Sequence, residues 1–420
     1  MFHFAHDDKG VLRGEGVDLR DIAEKVGTPT YVYARATIER HYRVFDEAFA
    51  SYPHTICYAM KANPSRAILA LLGRMGAGAD IVSVGELERA LAAGIPAAKI
   101  VFSGVGKTAA EMARALEVGI RTFNVESEPE LATLDQVAGA LGKIAPVSLR
   151  VNPDVDAKTH PYIATGLAAS KFGVPIADAP GIAERMRARK NVQLVGIDCH
   201  IGSQLTSITP MLEALESVLQ LIDTLKAAGH PIHDVDLGGG LGIPYREIDV
   251  PPSPAALGAA VTERLKGRTE HLVLEPGRVI VGNAGILLTR VLYVKNTASK
   301  TFVIVDAAMN DLLRPALYGA HHEIWPVLQR PNAPVVEVDV VGPVCESSDA
   351  LAKARAMPAA EAGDLLAVMS AGAYGASMAS TYNSRPLVAE VMVDGDAWST
   401  VRPRQSIEAL MAGEIVPDYS

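Results

Sequence analysis

The residues with the clearest chemical potential follow short apolar runs of the chain. Lys61 lies in YAMKAN, His200 and Ser203 lie in CHIGSQ, and two glycine-containing segments read GGGLG (238–242) and EPGR (275–278). A lysine that leaves a buried strand is costly to keep charged, so desolvation lowers its pKa and lets the amine form a Schiff base. Taken alone, Lys61 could be a salt-bridged structural lysine, but its companions favour the chemical role.

The two glycine-containing segments favour an anion site. Gly239 and Gly240 would let backbone N–H groups approach a phosphate closely, and Gly277 with Arg278 would supply a second such approach. Either segment alone could simply form a tight turn. Two of them at the ends of neighbouring strands predict a phosphate-binding rim.

Two nucleotide-binding sequence motifs are incomplete in this chain. A dinucleotide-binding G-x-G-x-x-G motif would require glycine at position 243, which is Ile243. GVGKT at 104–108 lacks the first glycine of a phosphate-binding P-loop, because that position is Val101. We interpret GVGKT as an ordinary loop, whereas GGGLG stays a candidate phosphate-binding loop of a different kind.

Glu275 is the most diagnostic acid in the sequence. A carboxylate at the end of a buried strand needs a cationic partner, and a protonated pyridine nitrogen is one such cation. His200, at another strand end, could lay its flat ring against a bound aromatic group. Together with the lysine and the phosphate rim, these residues predict a pocket for pyridoxal 5'-phosphate.

The elements that must position these residues are eight strands that alternate with helices. Segments such as SVGELERALAAG (83–94) have helical spacing of apolar residues and a terminal glycine suited to a C-cap. Eight strand–helix units over about 240 residues favour a (β/α)8 barrel over an open doubly wound sheet, which stays the alternative. The strand runs are TICYAM (55–60), ADIVSV (79–84), KIVFSG (99–104), RTFNVE (121–126), PVSLRVN (from 146), LVGIDCH (from 194), DVDLGGG (from 234) and HLVLEPG (from 271).

After residue 278 the alternation of strand and helix patterns gives way to pairs of strand patterns joined by turns. GILLTRVLYVKN and TFVIVDAAM bracket a polar TASK turn, and Asp394-Gly395 is a strong hairpin signal. The predicted fold class is therefore α/β plus β, a (β/α)8 barrel with a second, mainly antiparallel β domain. We expect the cofactor-binding barrel at 28–277 and the second domain at 1–27 and 278–420.

Composition restricts the class of protein. The 420 residues are 49% hydrophobic and 21% charged with a net charge of −9, which excludes a disordered chain and gives no reason to expect a nucleic-acid partner. Charged residues near the N-terminus argue against a signal peptide, and the longest uncharged stretch (365–384) is too polar to cross a membrane. Three cysteines are too few for a disulfide framework, and Cys57 and Cys199 lie in apolar runs typical of buried positions. We expect a cytoplasmic protein without a metal.

At this point the motifs identify a family, because the chain resembles the diaminopimelate decarboxylases, pyridoxal-phosphate enzymes of the alanine-racemase-like barrel class. The resemblance runs nearly from end to end. It is carried by YAMKANP around Lys61, HPYIATG (160–166), SKFG (170–173), CHIGSQ (199–204), GGGLG, EPGR, DLLRPALYGAHH (311–322), GPVCESSD (342–349), GAYGASM (372–378) and YNSRP (382–386).

The resemblance implies roles for particular residues. Lys61 should hold the cofactor as an internal aldimine, Glu275 should pair with the ring nitrogen, and Cys345 should be the proton donor. With His200, Lys61 and Cys345 form the expected catalytic set. The remaining implied cofactor-binding residues are Ser203, Gly239, Gly240, Gly277, Arg278 and Tyr374. The implied substrate-binding residues are Arg278, Arg314, Tyr318, Glu346 and Tyr374.

The reaction implied by the resemblance is decarboxylation of meso-2,6-diaminopimelate to L-lysine and CO2, the last step of lysine biosynthesis. The family works as a homodimer with shared active sites. Ornithine or arginine decarboxylases of the same fold are the nearest alternative, but they have no use for a carboxylate clamp such as Arg314. Glu275 disfavours an alanine racemase, which places arginine at the ring nitrogen. A non-catalytic relative that binds the cofactor is a further alternative; Lys61 and Cys345 argue against it.

Overall fold

The structure, a computed structural model, describes residues 3–156 and 171–419. The HPYIATG segment at 160–166 therefore lies outside the described residues, as does Ser170 of SKFG. The chain divides into two compact units. We call Glu39–Pro244 with Val250–Ile280 the barrel unit, and Met1–Ile38, Tyr245–Asp249 and Val281–Ser420 the sheet unit.

The chain begins with a small antiparallel sheet that leads into a helix. The elements are β1 (Phe4–His6), β2 (Leu12–Gly14), β3 (Val17–Asp18), α1 (Leu19–Lys25), β4 (Thr30–Ala34) and α2 (Arg35–Ala48). Asp18 caps α1, because its carboxylate accepts a hydrogen bond from the N–H of Arg20. The predicted domain boundary at residue 28 precedes β4, which belongs to the sheet unit.

The described residues of the barrel unit form nine strands, and all the pairings among these strands are parallel. They are β5 (His54–Ala59), β6 (Gly78–Ile81), β7 (Ile100–Phe102), β8 (Thr122–Val125), β9 (Ala145–Asn152), β10 (Val174–Pro175), β11 (Val192–Asp198), β12 (Asp234–Asp236) and β13 (His271–Leu274). The short β10 pairs only with the last two residues of β9. The other eight strands pair in a ring that closes between β8 and β9. This closure confirms the (β/α)8 barrel and excludes the open sheet.

Helices follow the barrel strands as the sequence periodicity predicts. They are α3 (Arg66–Arg74), α4 (Val84–Ala92), α5 (Ala109–Val118), α6 (Glu128–Ala140), α7 (Ala179–Met186), α8 (Thr209–Ala227), α9 (Pro254–Arg264) and α10 (Arg278–Val281). At α4 the Ser83 side chain accepts from the N–H of Glu86, and Gly94 has a left-handed φ of 85° just beyond the C-terminus. The helix therefore starts and stops where its capping residues lie.

The sheet unit is built around one mixed sheet. Its further elements are β14 (Gly285–Asn296), β15 (Thr301–Val305), α11 (Arg314–Tyr318), β16 (Ile324–Pro326), β17 (Val335–Val341), β18 (Ala350–Pro358), β19 (Leu365–Val368), β20 (Ala389–Asp394), β21 (Ala397–Arg402) and α12 (Ile407–Met411). The strand order is β18-β17-β15-β14-β4-β20-β21, with β16 and β19 branching from β14. Most pairs are antiparallel, while β15–β17 and β4–β20 are parallel. The predicted hairpin at Asp394-Gly395 joins β20 to β21.

Large aromatic side chains lie in the cores of both units. The fully buried side chains include Tyr58, Phe102 and Phe123 in the barrel unit and Tyr31 and Tyr33 in the sheet unit. Within the described ranges, none of the helices combines the length and the apolar character that a membrane crossing requires.

Candidate active site

The loops that follow β11, β12 and β13 lie together on one rim of the barrel. The N–H of Glu275 donates to the carbonyl of Gly238 at 2.7 Å, and the N–H of Leu205 donates to the carbonyl of Gly240 at 2.9 Å. At Gly239 a β-carbon would lie 2.1 Å from the carbonyl oxygen of Glu275, so only glycine fits there. The GGGLG and EPGR segments are therefore direct neighbours.

Lys61 follows β5 in a short 3₁₀ turn, Met60–Ala62, and its amine is held by an acid. Lys61 Nζ donates to Asp80 Oδ2 at 2.9 Å; the Asp80 side chain is fully buried, whereas that of Lys61 is 40% exposed. The Lys61 amine is thus held by a buried acid, while the lysine side chain as a whole stays partly exposed to solvent. Sequence reasoning missed Asp80, although an acid inside the apolar run ADIVSV was the available signal.

His200 is half-buried beside the GGGLG loop (238–242), which we call the glycine rim. Its Nδ1 accepts a hydrogen bond from the N–H of Gly239 at 3.2 Å, which fixes the orientation of the ring. Burial, reinforced by the positive charges of Lys61 and Arg150, lowers the pKa of His200 well below its usual value. A neutral, oriented imidazole is suited to contact an aromatic ring through its face.

Glu275 directly follows β13 inside the barrel, where it lies near two uncharged polar side chains and near other acids. Oε1 of Glu275 lies 3.3 Å from Asn124 Nδ2 and 3.5 Å from Ser103 Oγ, and both partners are buried. Burial raises the pKa of Glu275 well above its usual value, and the charges of Asp236 and Asp80 raise it further.

Two more buried acids lie beside Glu275, at the ends of β11 and β12. Carboxylate oxygens of Asp198, Asp236 and Glu275 all lie within 4.8 Å of one another. Burial and the neighbouring carboxylates raise the pKa values of Asp198 and Asp236 as well. Arg150 lies beside these acids, with Nε 3.7 Å from Asp198 Oδ2, but it also pairs with Glu126. We call Asp198, Asp236 and Glu275 the acid cluster.

The acid cluster and Asp80 fit the ring of pyridoxal phosphate. Among the residues that the structure describes, no hydrogen-bond donor reaches Asp80 Oδ1, Asp198 Oδ1 or Asp236 Oδ2, although all three atoms are buried. Buried acceptors in this state are stabilised by an added N–H or positive charge. A protonated pyridine ring supplies both.

The acid cluster should make the chain without cofactor less stable as the pH rises. Because the folded pKa values exceed the unfolded ones, the native state binds more protons than the unfolded state above about pH 4. The free energy of unfolding therefore falls with rising pH, by about 1.4 kcal/mol per unit of elevated pKa. Urea denaturation from about pH 5 to about pH 8 measures this slope. Asp236→Asn should flatten it, whereas an unchanged slope would contradict the coupling of these acids.

At the phosphate end of the expected site, two side chains are in direct contact. Arg278 Nη2 donates to Ser203 Oγ at 2.9 Å, which joins the loops after β11 and β13. At Gly277 a β-carbon would come within 3.0 Å of Ala62 and 3.2 Å of Ala59. The rim thus combines closely approached backbone, a guanidinium and a hydroxyl, which are the groups that bind phosphate.

Arg314 and Tyr318 lie at the two ends of α11 in the sheet unit. Arg314 is buried, and its Nη1 donates to His322 Nε2 at 2.8 Å. Tyr318 is half-buried. Neither Tyr245 nor His322 was identified from the sequence, yet both contact Arg314.

Cys345 and Glu346 lie in an exposed loop of defined conformation. Asp349 holds this loop, because its carboxylate accepts from the N–H of Val344 and of Met309, both at 2.7 Å. Cys345 is exposed. Hydrogen bonds from Ser348 and Tyr382 lower the pKa of Glu346, which is therefore a carboxylate at neutral pH.

Tyr374 is half-buried and has a left-handed φ of 57°, a conformation that is uncommon for a residue other than glycine. Such backbone strain often marks a functional position.

The structure brings together the expected residues of the barrel rim: Lys61, His200, Ser203, Gly239, Gly240, Glu275, Gly277 and Arg278. The expected residues Arg314, Tyr318, Cys345, Glu346 and Tyr374 lie in the sheet unit.

Comparison with known proteins confirms the resemblance. The family model described as "Pyridoxal-dependent decarboxylase, pyridoxal binding domain" matches residues 35–282. The diaminopimelate decarboxylase of Vibrio cholerae is 54% identical over 99% of this chain and 99% of its own length, and that of Pseudomonas aeruginosa is 56% identical over 96% of both chains.

A solved structure gives the same result. Diaminopimelate decarboxylase from Helicobacter pylori, complexed with L-lysine, matches with a TM-score of 0.91 at 42% identity, covering 94% of this chain and 98% of that chain. The likeness therefore includes the closed barrel and the sheet unit alike. The chain belongs to the diaminopimelate decarboxylase family of pyridoxal-dependent carboxy-lyases.

Proposed function

We propose that this protein decarboxylates meso-2,6-diaminopimelate to L-lysine and CO2 with pyridoxal phosphate as cofactor. The observation that carries the proposal is the meeting of Lys61, His200 and Glu275 beside the glycine rim. Family membership supports the substrate, because the relatives are diaminopimelate decarboxylases over nearly their full length.

In this proposal the barrel unit holds the cofactor. Lys61, whose amine is paired with Asp80, would hold the cofactor through its aldehyde group. Ser203, Gly239, Gly240, Gly277 and Arg278 bind its phosphate. When bound, the cofactor supplies an electron sink for the bond to the departing carboxylate. Glu275 keeps a proton on the ring nitrogen, which strengthens that sink.

The remaining residues recognise the substrate. A diaminopimelate molecule has a second amino-acid centre, whose carboxylate calls for arginine and whose ammonium calls for an acid. We assign Arg314 to the carboxylate and Glu346 to the ammonium, with Arg278, Tyr318 and Tyr374 as further substrate contacts. Holding the distal end fixes which carboxylate is lost, because orientation of the scissile bond selects the reaction.

Cys345 is the proposed acid of the final step. Its thiol would deliver a proton to the carbon that has lost CO2. Its exposure on a loop held by Asp349 agrees with a residue that completes the active site of a partner subunit. We therefore propose a homodimer with shared active sites, located in the cytoplasm.

Substrate preference tests the proposal directly. The purified protein should show visible absorption from bound cofactor, and CO2 release should be measured from meso-diaminopimelate and from ornithine. We expect diaminopimelate to be preferred by about 10⁴-fold in kcat/KM, because ornithine leaves the carboxylate clamp unpaired. Preference for ornithine would overturn the substrate assignment but not the fold or the cofactor.

A further inference from the structure

The guanidinium of Arg314 is held by a histidine whose protonation is set by the backbone. Arg314 Nη1 and His322 Nε2 are 2.8 Å apart, and His322 Nδ1 lies 2.8 Å from the carbonyl oxygen of Met369. A carbonyl oxygen can only accept, so Nδ1 carries the hydrogen and Nε2 is left as the acceptor for arginine. His322 is fully buried, with no exposed surface.

An aromatic ring supports the same guanidinium from another direction. Arg314 Cζ lies 4.5 Å from the centroid of the Tyr245 ring, within the range of a cation–π contact. Tyr245 also meets the ring of His322 edge to face, with centroids 5.4 Å apart and an angle of 80° between the planes. Tyr245 lies in the short segment Tyr245–Asp249, which the chain contributes to the sheet unit from between two barrel segments.

These two contacts fix the arginine without neutralising it. Arginine has many rotamers, and ordering it during ligand binding costs free energy that a preformed arrangement avoids. Neither the imidazole nor the phenol ring carries a negative charge, so the guanidinium keeps its attraction for an anionic group.

We propose that Tyr245 and His322 are positioning residues that hold Arg314 in the orientation required by the distal carboxylate of the substrate. The inference rests on the proposed function, in which Arg314 binds that carboxylate. It makes Tyr245 and His322 determinants of specificity for amino acids with a second carboxylate. They act through Arg314 and need not touch the reacting atoms.

Paired variants at Tyr245 and His322 distinguish a loss of Arg314 positioning from a non-specific loss of folding or ligand binding. Tyr245→Leu removes the aromatic face, whereas Tyr245→Phe keeps it. His322→Leu removes the acceptor, whereas His322→Gln keeps a carbonyl oxygen that can accept from Arg314. The readouts are kcat and KM for meso-diaminopimelate and the competitive inhibition constants of L-lysine and cadaverine. L-lysine retains the distal carboxylate of the substrate, and cadaverine has none.

Both leucine variants should raise KM and the inhibition constant of L-lysine about tenfold or more, the loss expected for a hydrogen bond or cation–π contact to a charged group. The value of kcat should change less than about threefold, because distal binding is common to ground state and transition state. The inhibition constant of cadaverine should not change. Tyr245→Phe keeps the aromatic face and His322→Gln keeps an acceptor, so each should recover part of the loss that the corresponding leucine variant shows.

Other outcomes would overturn the inference. An unchanged inhibition constant for L-lysine in the leucine variants would exclude positioning, and equal losses for L-lysine and cadaverine would show general damage. Should His322→Leu fail to fold in thermal unfolding, Tyr245→Leu and His322→Gln give the same comparison. If the wild-type protein releases no CO2 from diaminopimelate, that result would instead refute the proposed function on which the inference rests.

Discussion

Replacing Lys61 by alanine should abolish both the visible absorption of bound cofactor and the release of CO2 from meso-diaminopimelate. The amine is the proposed covalent attachment, and loss of a residue that forms a covalent intermediate costs at least about 10³-fold in kcat. Spectra of the purified variant after incubation with pyridoxal phosphate measure the first effect. A radiometric or enzyme-coupled assay of CO2 measures the second.

The effect of losing the positive charge of Lys61 must be distinguished from the effect of losing its nucleophilic amine. Lys61→Ala leaves the buried Asp80 carboxylate without its ion pair, whereas Lys61→Arg keeps a cation but cannot attach the cofactor. Both variants should be inactive and lack the absorption. Lys99→Ala, which removes an amine that donates to the carbonyl of Gly76, should retain both properties. Normal lysine production by Lys61→Arg would refute the assigned role.

Replacing Cys345 by alanine should leave the visible absorption of bound cofactor unchanged and lower turnover by about 10²- to 10⁴-fold, the range of a general acid. The residue lies in the sheet unit and is not proposed to hold the cofactor. Parallel measurement of the spectrum and of L-lysine formation therefore separates this variant from Lys61→Ala.

The neighbouring loop offers a matched control for Cys345. Ser347 is exposed in the same loop, so Ser347→Ala should retain turnover. Cys345→Ser keeps the size of the side chain but replaces a thiol by a much weaker acid, so it should resemble Cys345→Ala. Full activity of Cys345→Ser would show that the acidity of the thiol is not required.

The barrel could be predicted from local pattern, because each strand is a short apolar run and several helices, such as α4, α5, α6 and α9, begin at a capping side chain. Predicted runs such as TICYAM and LVGIDCH coincide with β5 and β11. Burial of Cys57 and Cys199 and exposure of Cys345 were likewise readable from their neighbours. Closure of the ring was not, because it depends on pairing between β8 and β9 that no periodicity encodes.

The long-range contacts of the sheet unit were also beyond local reasoning. β4 pairs with β14 and with β20, which lie far along the chain. The run TYVYA has the same composition as a barrel strand, so only these pairings determine the sheet in which it lies. The contacts of Tyr245 and His322 with Arg314 have the same origin.

The interior acids were visible in the sequence but were not interpreted. Asp80, Asp198 and Asp236 each interrupt an apolar run, and an acid in a buried strand requires a reason. Their common reason emerges only when the strands close into a barrel and bring the carboxylates to one place. Each acid within an apolar run could be seen in the sequence, whereas the closeness of the carboxylates to one another could be seen only in the folded barrel.

The division of the chain into two compact units bears on how new selectivity could be introduced. The groups proposed for cofactor chemistry fold in one unit, and Arg314 with its supports folds in the other. Redesign of Arg314, Tyr245 and His322 could therefore retarget the catalyst to other amino acids while the reactive machinery is left intact. Engineers seeking new diamine or lysine-analogue products would begin with those three side chains.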